Sequence, residues 1–267
     1  MSEPIRVKVD VTNPGQFFAS CGLLELASRI TEEGVEGWFE HDGFYLHGSL
    51  PVTSMMKTLS DISPTLMEEP APGVRVERSI APLKLPLTES TSLTLDAWTK
   101  WGIEKRKPQI SADSAWKFWS GNQGVLKIWN NLRGQLSQQV ADGAFDKSEA
   151  LFPRVFMSGR FGFDAQAAWN ALDAGYSPND QNQPVATRPA LELLALIGLQ
   201  RFKPAVLKDF QFEYCTWGKP LESASAQVAA CGLLAVPPSS RFRTKVVRRG
   251  KYGGLSYATK LSLGDRK

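Results

Sequence analysis

The chain has 267 residues, 42% hydrophobic and 22% charged, which suits a globular protein with a substantial core. Its three cysteines are widely spaced with no CxxC pair, which argues against a disulfide framework or a structural zinc site, and no apolar run approaches membrane-spanning length. The net charge of +4 hides an asymmetry: from position 241 onward nine Lys/Arg and one acid give +8, leaving 22 bases and 26 acids, a net of −4, on the preceding 240 residues.

Ile5, Val7, Val9 and Val11 alternate with Arg6, Lys8 and Asp10, the period of a strand with one buried face. Asn13-Pro14-Gly15-Gln16 then reads as a helix start: Asn13 as N-cap, Pro14 in the first turn, Gln16 completing a capping box. Residues 17–27 are apolar on most of the helix circumference, so this helix is expected inside the protein. Residues 38–47 read as a hairpin around Asp42-Gly43, residues 52–62 as a short helix, and residues 74–87 as an extended segment whose Pro82 and Pro86 suit a sheet edge. The order strand, helix, strand, strand, helix, strand predicts a ferredoxin-like half over residues 1–92, an arrangement shared with RNA-recognition modules.

Residues 93–187 are rich in tryptophan and read as mostly helical from about Ala115, with loops at 141–149 and 175–188. Residues 188–267 begin with a second apolar helix at 189–202, stopped by Pro204. A strand at 210–217, a helix at 221–230 and two basic strands around 250–254 follow. The fold class is α+β, with the three sections packed as one unit. Ala19-Ser20-Cys21-Gly22-Leu23-Leu24 is echoed by Ala229-Ala230-Cys231-Gly232-Leu233-Leu234. In the second copy, Gly232 reads as a helix C-cap ahead of Pro237-Pro238.

Catalytic chemistry is poorly represented. With Asp42-Gly43 as the turn, His41 would pair with Phe44 and His47 with Trp38, which places the imidazoles on opposite faces and denies them a shared metal. Either could serve as a lone general base of a metal-independent ribonuclease, but no Ser or Cys nucleophile context accompanies them. There is no P-loop, Rossmann fingerprint or zinc-type spacing, and Gly159-Arg160-Phe161-Gly162 is too short to cradle phosphates. We therefore expect no enzyme, no cofactor and no metal.

Anion binding is better represented. Arg241, Arg243, Lys245, Arg248, Arg249 and Lys251 form a basic strand region suited to phosphates, although Lys and Arg also protect sheet edges. Lys105, Arg106, Lys107 and Lys117 interleave with tryptophans, a pattern found both in single-strand platforms and in ordinary cores. Trp119 and Gln123 flank Ser120-Gly121-Asn122, where free backbone N–H groups at a helix start would accept an anion.

Four phrases together resemble a known family. Val9-Asp10-Val11-Thr12-Asn13-Pro14-Gly15-Gln16-Phe17-Phe18-Ala19, continued by Cys21-Gly22-Leu23-Leu24-Glu25-Leu26-Ala27, is similar to the amino terminus of a subunit family from subtype I-U (I-G) CRISPR–Cas loci. Trp116-Lys117-Phe118-Trp119-Ser120-Gly121-Asn122-Gln123 resembles its central element. Leu191-Glu192-Leu193-Leu194-Ala195-Leu196-Ile197-Gly198-Leu199-Gln200-Arg201-Phe202 resembles its third block, and Tyr214-Cys215-Thr216-Trp217 its last. The resemblance implies an accessory or large-subunit-like component (Csb/Csx type) of a crRNA-guided interference complex, without a nuclease centre of its own. In such complexes base pairing reads the sequence while protein subunits hold backbone and flanking strands.

The expectation is a cytoplasmic, non-catalytic subunit that contacts crRNA or target DNA beside the other effector subunits. The six bases from Arg241 to Lys251 would hold phosphates, Lys105, Arg106, Lys107 and Lys117 would extend the path, and Trp119 and Gln123 would stack and hydrogen-bond. The alternative is a protein–protein adaptor that docks the helicase–nuclease.

Overall fold

In the computed structural model, residues 3–48, 50–104, 107–113, 115–119, 123–146, 151–167, 183–249 and 252–262 are described. Strand β1 (Ile5–Lys8) leads into helix α1 (Pro14–Ile30), capped by Asn13, whose Oδ1 accepts the Gly15 N–H at 3.1 Å. Gln16 does not close the expected capping box. The Asn13 N–H is already donated to the Asp10 carbonyl at 3.0 Å, so the Gln16 amide oxygen takes the Asp10 N–H at 2.8 Å instead.

Strands β2 (Glu36–Glu40) and β3 (Gly43–His47) form the predicted hairpin, with Glu40 opposite Gly43. The turn is therefore His41-Asp42, one position earlier than expected. His41 supplies the left-handed conformation (φ 51°), and Gly43 serves as the first strand residue. The register shifts with it, so His47 pairs with Glu36 and His41 lies outside both strands.

Helix α2 (Val52–Asp61) is followed by a small antiparallel sheet of β4 (Thr65–Leu66), β5 (Leu83–Pro86) and β6 (Ser92–Leu95). Next comes a two-stranded ribbon, β7 (Thr99–Glu104) with β8 (Lys107–Ala112), then helix α3 (Val125–Ala141). The pair β9 (Val155–Met157) and β10 (Val185–Thr187) precedes helix α4 (Pro189–Arg201). The chain continues with β11 (Ala205–Val206), β12 (Gln211–Cys215), β13 (Leu221–Glu222) and helix α5 (Ser223–Ala230). It closes with β14 (Arg241–Arg249), β15 (Tyr252–Leu255) and β16 (Thr259–Lys260).

The fold is mixed α+β, built from several small antiparallel sheets. In the first sheet the order is β1-β3-β2-β13. Strands β1, β3 and β2 follow the split order expected of a ferredoxin-like half, with α1 as the crossover. The fourth strand differs: β5 does not join this sheet, and β13 occupies the other edge, beside β2. Pro82 and Pro86 bracket β5 and remove donors from it, so it is served by short local partners, β4 and β6.

The middle section is also less helical than its tryptophan spacing suggests, because α3 begins only at Val125. Trp98, Trp116 and Trp119 reach the core from loops. The Trp98 Nε1–H donates to the Ile80 carbonyl at 2.9 Å, and its ring meets Trp119 edge-on at 5.7 Å.

One apolar core draws on all three sections of the chain. At its centre α1 crosses α4, with Gly22 and Gly198 facing each other so closely that backbone meets backbone. Gly15 likewise admits the backbone of Phe163 and Asp164 against the start of α1. The sequence echo has no structural counterpart: Leu23 is fully buried, whereas Leu233 is 83% exposed; the C-cap of α5 is Cys231, one residue before the expected Gly232, which is the left-handed residue that follows (φ 76°). Among the described residues, no helix is long and apolar enough to cross a membrane.

Candidate nucleic-acid interface

Strand β14 turns Phe242, Thr244 and Val246 into the core and leaves Arg241, Arg243 and Lys245 on the other face. The basic alternation in the sequence is thus one side of a sheet. Part of its charge is already spent. Glu213, opposite Arg243 on β12, accepts from Arg243 Nε and Nη2 at 2.8 and 2.6 Å and faces Arg241 Nη1 at 3.5 Å. The neighbouring Cys215 side chain, with Glu213 nearby, raises the pKa of the Arg241 guanidinium above its ordinary value. Lys245 is exposed and has no ion-pair partner among the described residues.

At the far end of β14, Arg248 sits beside Lys117. Its Nη2 approaches the Lys117 carbonyl at 3.4 Å, joining segments 131 positions apart. Lys117 Nζ donates to the Trp119 carbonyl at 2.9 Å and lies over the Trp119 ring at 5.5 Å. Neither cation forms an ion pair among the described residues. Burial, and then the Arg248 charge, push the Lys117 ammonium below its ordinary pKa. Burial does the same to Arg248, against the pull of Asp113. A nearby anion would favour the charged form of both groups. Arg248 also lies 5.8 Å from the ring centre of Phe210, an exposed aromatic that sequence reasoning passed over as the start of a strand.

The predicted stacking role of Trp119 is corrected by the structure. Its side chain is 2% exposed and wedged edge-on between Trp98 and Phe161, so no base can reach its face. Trp98, Trp116 and Trp129 are buried too. Their helical spacing reflects core packing. Gln123 is half-buried, and its Oε1 is enclosed without a hydrogen-bond partner among the described residues. Lys105, Arg106, Lys251, the Arg249 side chain and the Ser120-Gly121-Asn122 turn lie outside the described residues.

Lys107 is exposed on the β7–β8 ribbon, whose strands pair only with each other. Lys100, Trp101 (46% exposed) and Ile103 are exposed on the same ribbon. A two-stranded ribbon has the width to enter a nucleic-acid groove.

A second polar cluster is wholly tertiary and was not read from the sequence. The Glu192 carboxylate in α4 accepts the backbone N–H groups of Gly162, Phe163 and Asp164 at 2.8, 3.3 and 3.2 Å. Asp164 accepts from Asn13 Nδ2 at 2.8 Å, from the Gln166 N–H at 3.1 Å and from Arg188. The Gly-Arg-Phe-Gly stretch, too short to hold phosphate, therefore helps hold an internal carboxylate. The only visible signal was a lone acid, Glu192, inside an apolar helix. These contacts bolt residues 159–167 onto the starts of α1 and α4.

Above them opens a cavity of about 620 Å³ lined in part by Lys8, Asp10, Gln16, His41 and Arg188. His41 lies on its exposed rim, with Glu40 at 3.7 Å as an acidic neighbour. Among the described residues no group of His, Cys, Asp and Glu could hold a metal ion.

Glu192 supplies a pH test. Burial, opposed by Arg160 and the backbone donors, raises its pKa above the ordinary 4.5. As pH climbs past 4.5, the unfolded chain releases this proton first, so the folded state loses stability until Glu192 itself ionises. In unfolding titrations from pH 4 to 7, the stability of wild type relative to Glu192→Gln should fall with rising pH, by up to about 1.4 kcal/mol per unit. A wild-type advantage that grows with pH would contradict burial as the dominant cause.

Comparison with protein families, characterised proteins and solved structures finds nothing that matches this chain.

Proposed function

We propose that the chain is a cytoplasmic, non-catalytic nucleic-acid-binding subunit of a type I CRISPR–Cas interference complex that contacts the backbone of crRNA or target DNA beside the other effector subunits. The observation that carries this reading is the meeting of Lys117 and Arg248, two regions chosen independently from the sequence, neither in an ion pair among the described residues. Lys245 extends the charge along β14, and the ribbon adds Lys100 and Lys107. Arg241 and Arg243, held by Glu213, contribute less than their place in the basic run suggests. The ferredoxin-like reading of the N-terminal half belongs to the same proposal. Its support is the split order of β1, β3 and β2 and an outer sheet face on which Trp38 and Tyr45 stack at 5.4 Å.

The adaptor reading draws on a different surface. Val228, Leu233 and Leu234 are exposed at the C-terminal end of α5, an apolar edge suited to a protein partner such as the helicase–nuclease.

The salt dependence of binding separates the two. The nucleic-acid reading expects log affinity for an oligonucleotide to fall linearly with log salt, with a slope of about −0.7 per neutralised phosphate on a single strand. The adaptor reading expects no such binding, and co-purification with protein partners that survives nuclease treatment.

A further inference from the structure

We propose that Phe210 is a base-stacking platform, so that the strand held at Lys117 and Arg248 is single-stranded RNA or DNA; this rests on the nucleic-acid reading above. Asp209 and Phe210 are the central residues of the turn between β11 and β12, closed by the Gln211 N–H donating to the Lys208 carbonyl at 3.1 Å. Both are left-handed, with φ of 57° and 56°. A turn of this kind takes glycine at its second central position without strain, whereas a bulky side chain there is an outlier.

The conformation is nevertheless fixed. The Leu207 N–H donates to the Gln211 carbonyl at 2.8 Å, and the Phe210 carbonyl accepts the Val246 N–H at 3.0 Å. The ring gains little from the core, because the residue is 46% exposed. The Arg248 guanidinium lies over the ring, 5.8 Å from its centre. A strained turn that presents an aromatic to solvent beside Arg248, which itself meets Lys117, is costly for the fold and useful for a ligand with a π-face and a phosphate.

An unpaired nucleotide has both. In a duplex the bases are already stacked, and Phe210 would find only backbone. The ring therefore selects strand state, while Lys117 and Arg248 supply sequence-independent attraction.

The experiment is fluorescence anisotropy with labelled single-stranded RNA and DNA of about 12 nucleotides and a duplex of equal length, using the full chain and Phe210→Gly. The variant should melt at a higher temperature, because the strain is gone. It should bind single strands about 5- to 100-fold more weakly with an unchanged salt slope, and bind the duplex as wild type does. Phe210→Trp should retain single-strand binding. Equal losses on single strands and duplex, or single-strand binding by Phe210→Gly equal to wild type, would overturn the stacking role. A wild-type chain that binds none of the three would instead remove the nucleic-acid reading itself, and the stacking role with it.

Discussion

Replacing Gly22 by alanine should destabilise the protein by about 3 kcal/mol or more, the upper range for overpacking a core. A Cβ at Gly22 would fall inside the van der Waals shell of the Leu194 carbonyl oxygen, 2.8 Å from its carbon and 3.0 Å from the Gly198 nitrogen. A Cβ at Gly198 would meet the Phe18 carbonyl and lie 2.8 Å from the Gly22 nitrogen. All of these are backbone atoms of two helices, so nothing can swing aside. The helices would have to separate, and both are buried around their whole circumference at the crossing. Separation would open gaps beside Phe17, Phe18 and Leu194 and forfeit close contacts there.

Because one separation accommodates both methyl groups, the Gly22→Ala/Gly198→Ala double variant should lose less than the sum of the singles. Gly134 in α3 is the control, since a Cβ there would meet nothing within 4 Å. Gly134→Ala should gain up to about 1 kcal/mol from helix propensity alone. Urea denaturation of the four variants reads all of this, and a Gly22→Ala protein as stable as wild type would refute the crossing.

Arg188→Met should cost about 3–5 kcal/mol, the usual range for leaving one member of a buried ion pair uncompensated. The Asp164 side chain is 1% exposed and the Arg188 side chain 12% exposed. Without the guanidinium, Asp164 keeps the Asn13 amide and the Gln166 N–H but, among the described residues, no positive neighbour at hydrogen-bond distance. The Arg188 bond to Gln166 Oε1 at 2.8 Å would go as well. Asp164→Asn combined with Arg188→Met should recover much of the loss, because the buried charge is then gone. If the double variant were no more stable than Arg188→Met alone, lost packing rather than an orphaned charge would be the cause.

Much of the framework was legible because local signals agreed. The capped start and apolar run of α1, the proline-bounded apolar run of α4 and the basic run of β14 each carry local signals pointing the same way. Failures came where a local pattern had a second physical meaning. Tryptophans three apart fit a helix face, yet Trp98, Trp116 and Trp119 are loop residues converging on one core. Asp-Gly reads as the hairpin turn, but His41 tolerates the left-handed conformation, and the turn moved by one position. Strand β13 is two residues long and pairs with β2 from far along the chain, a contact with no local signature.

The candidate site divides the same way. The sequence grouped Arg241, Arg243 and Lys245 in one basic strand region, but only the fold shows Glu213 pairing with the two arginines. The Lys117–Arg248 meeting and the solvent-facing ring of Phe210 are likewise tertiary facts.

The central claim, that Lys117, Arg248 and Lys245, which form no ion pair among the described residues, hold nucleic-acid phosphates, is tested most directly by the salt slope of single-strand binding in two charge-removal variants. Lys117→Gln/Arg248→Gln/Lys245→Gln should bind more weakly and flatten the slope by about 2, whereas Arg241→Gln/Arg243→Gln should change it by less than about 1. An unchanged slope in the triple variant, or a larger change in the arginine pair, would contradict the account.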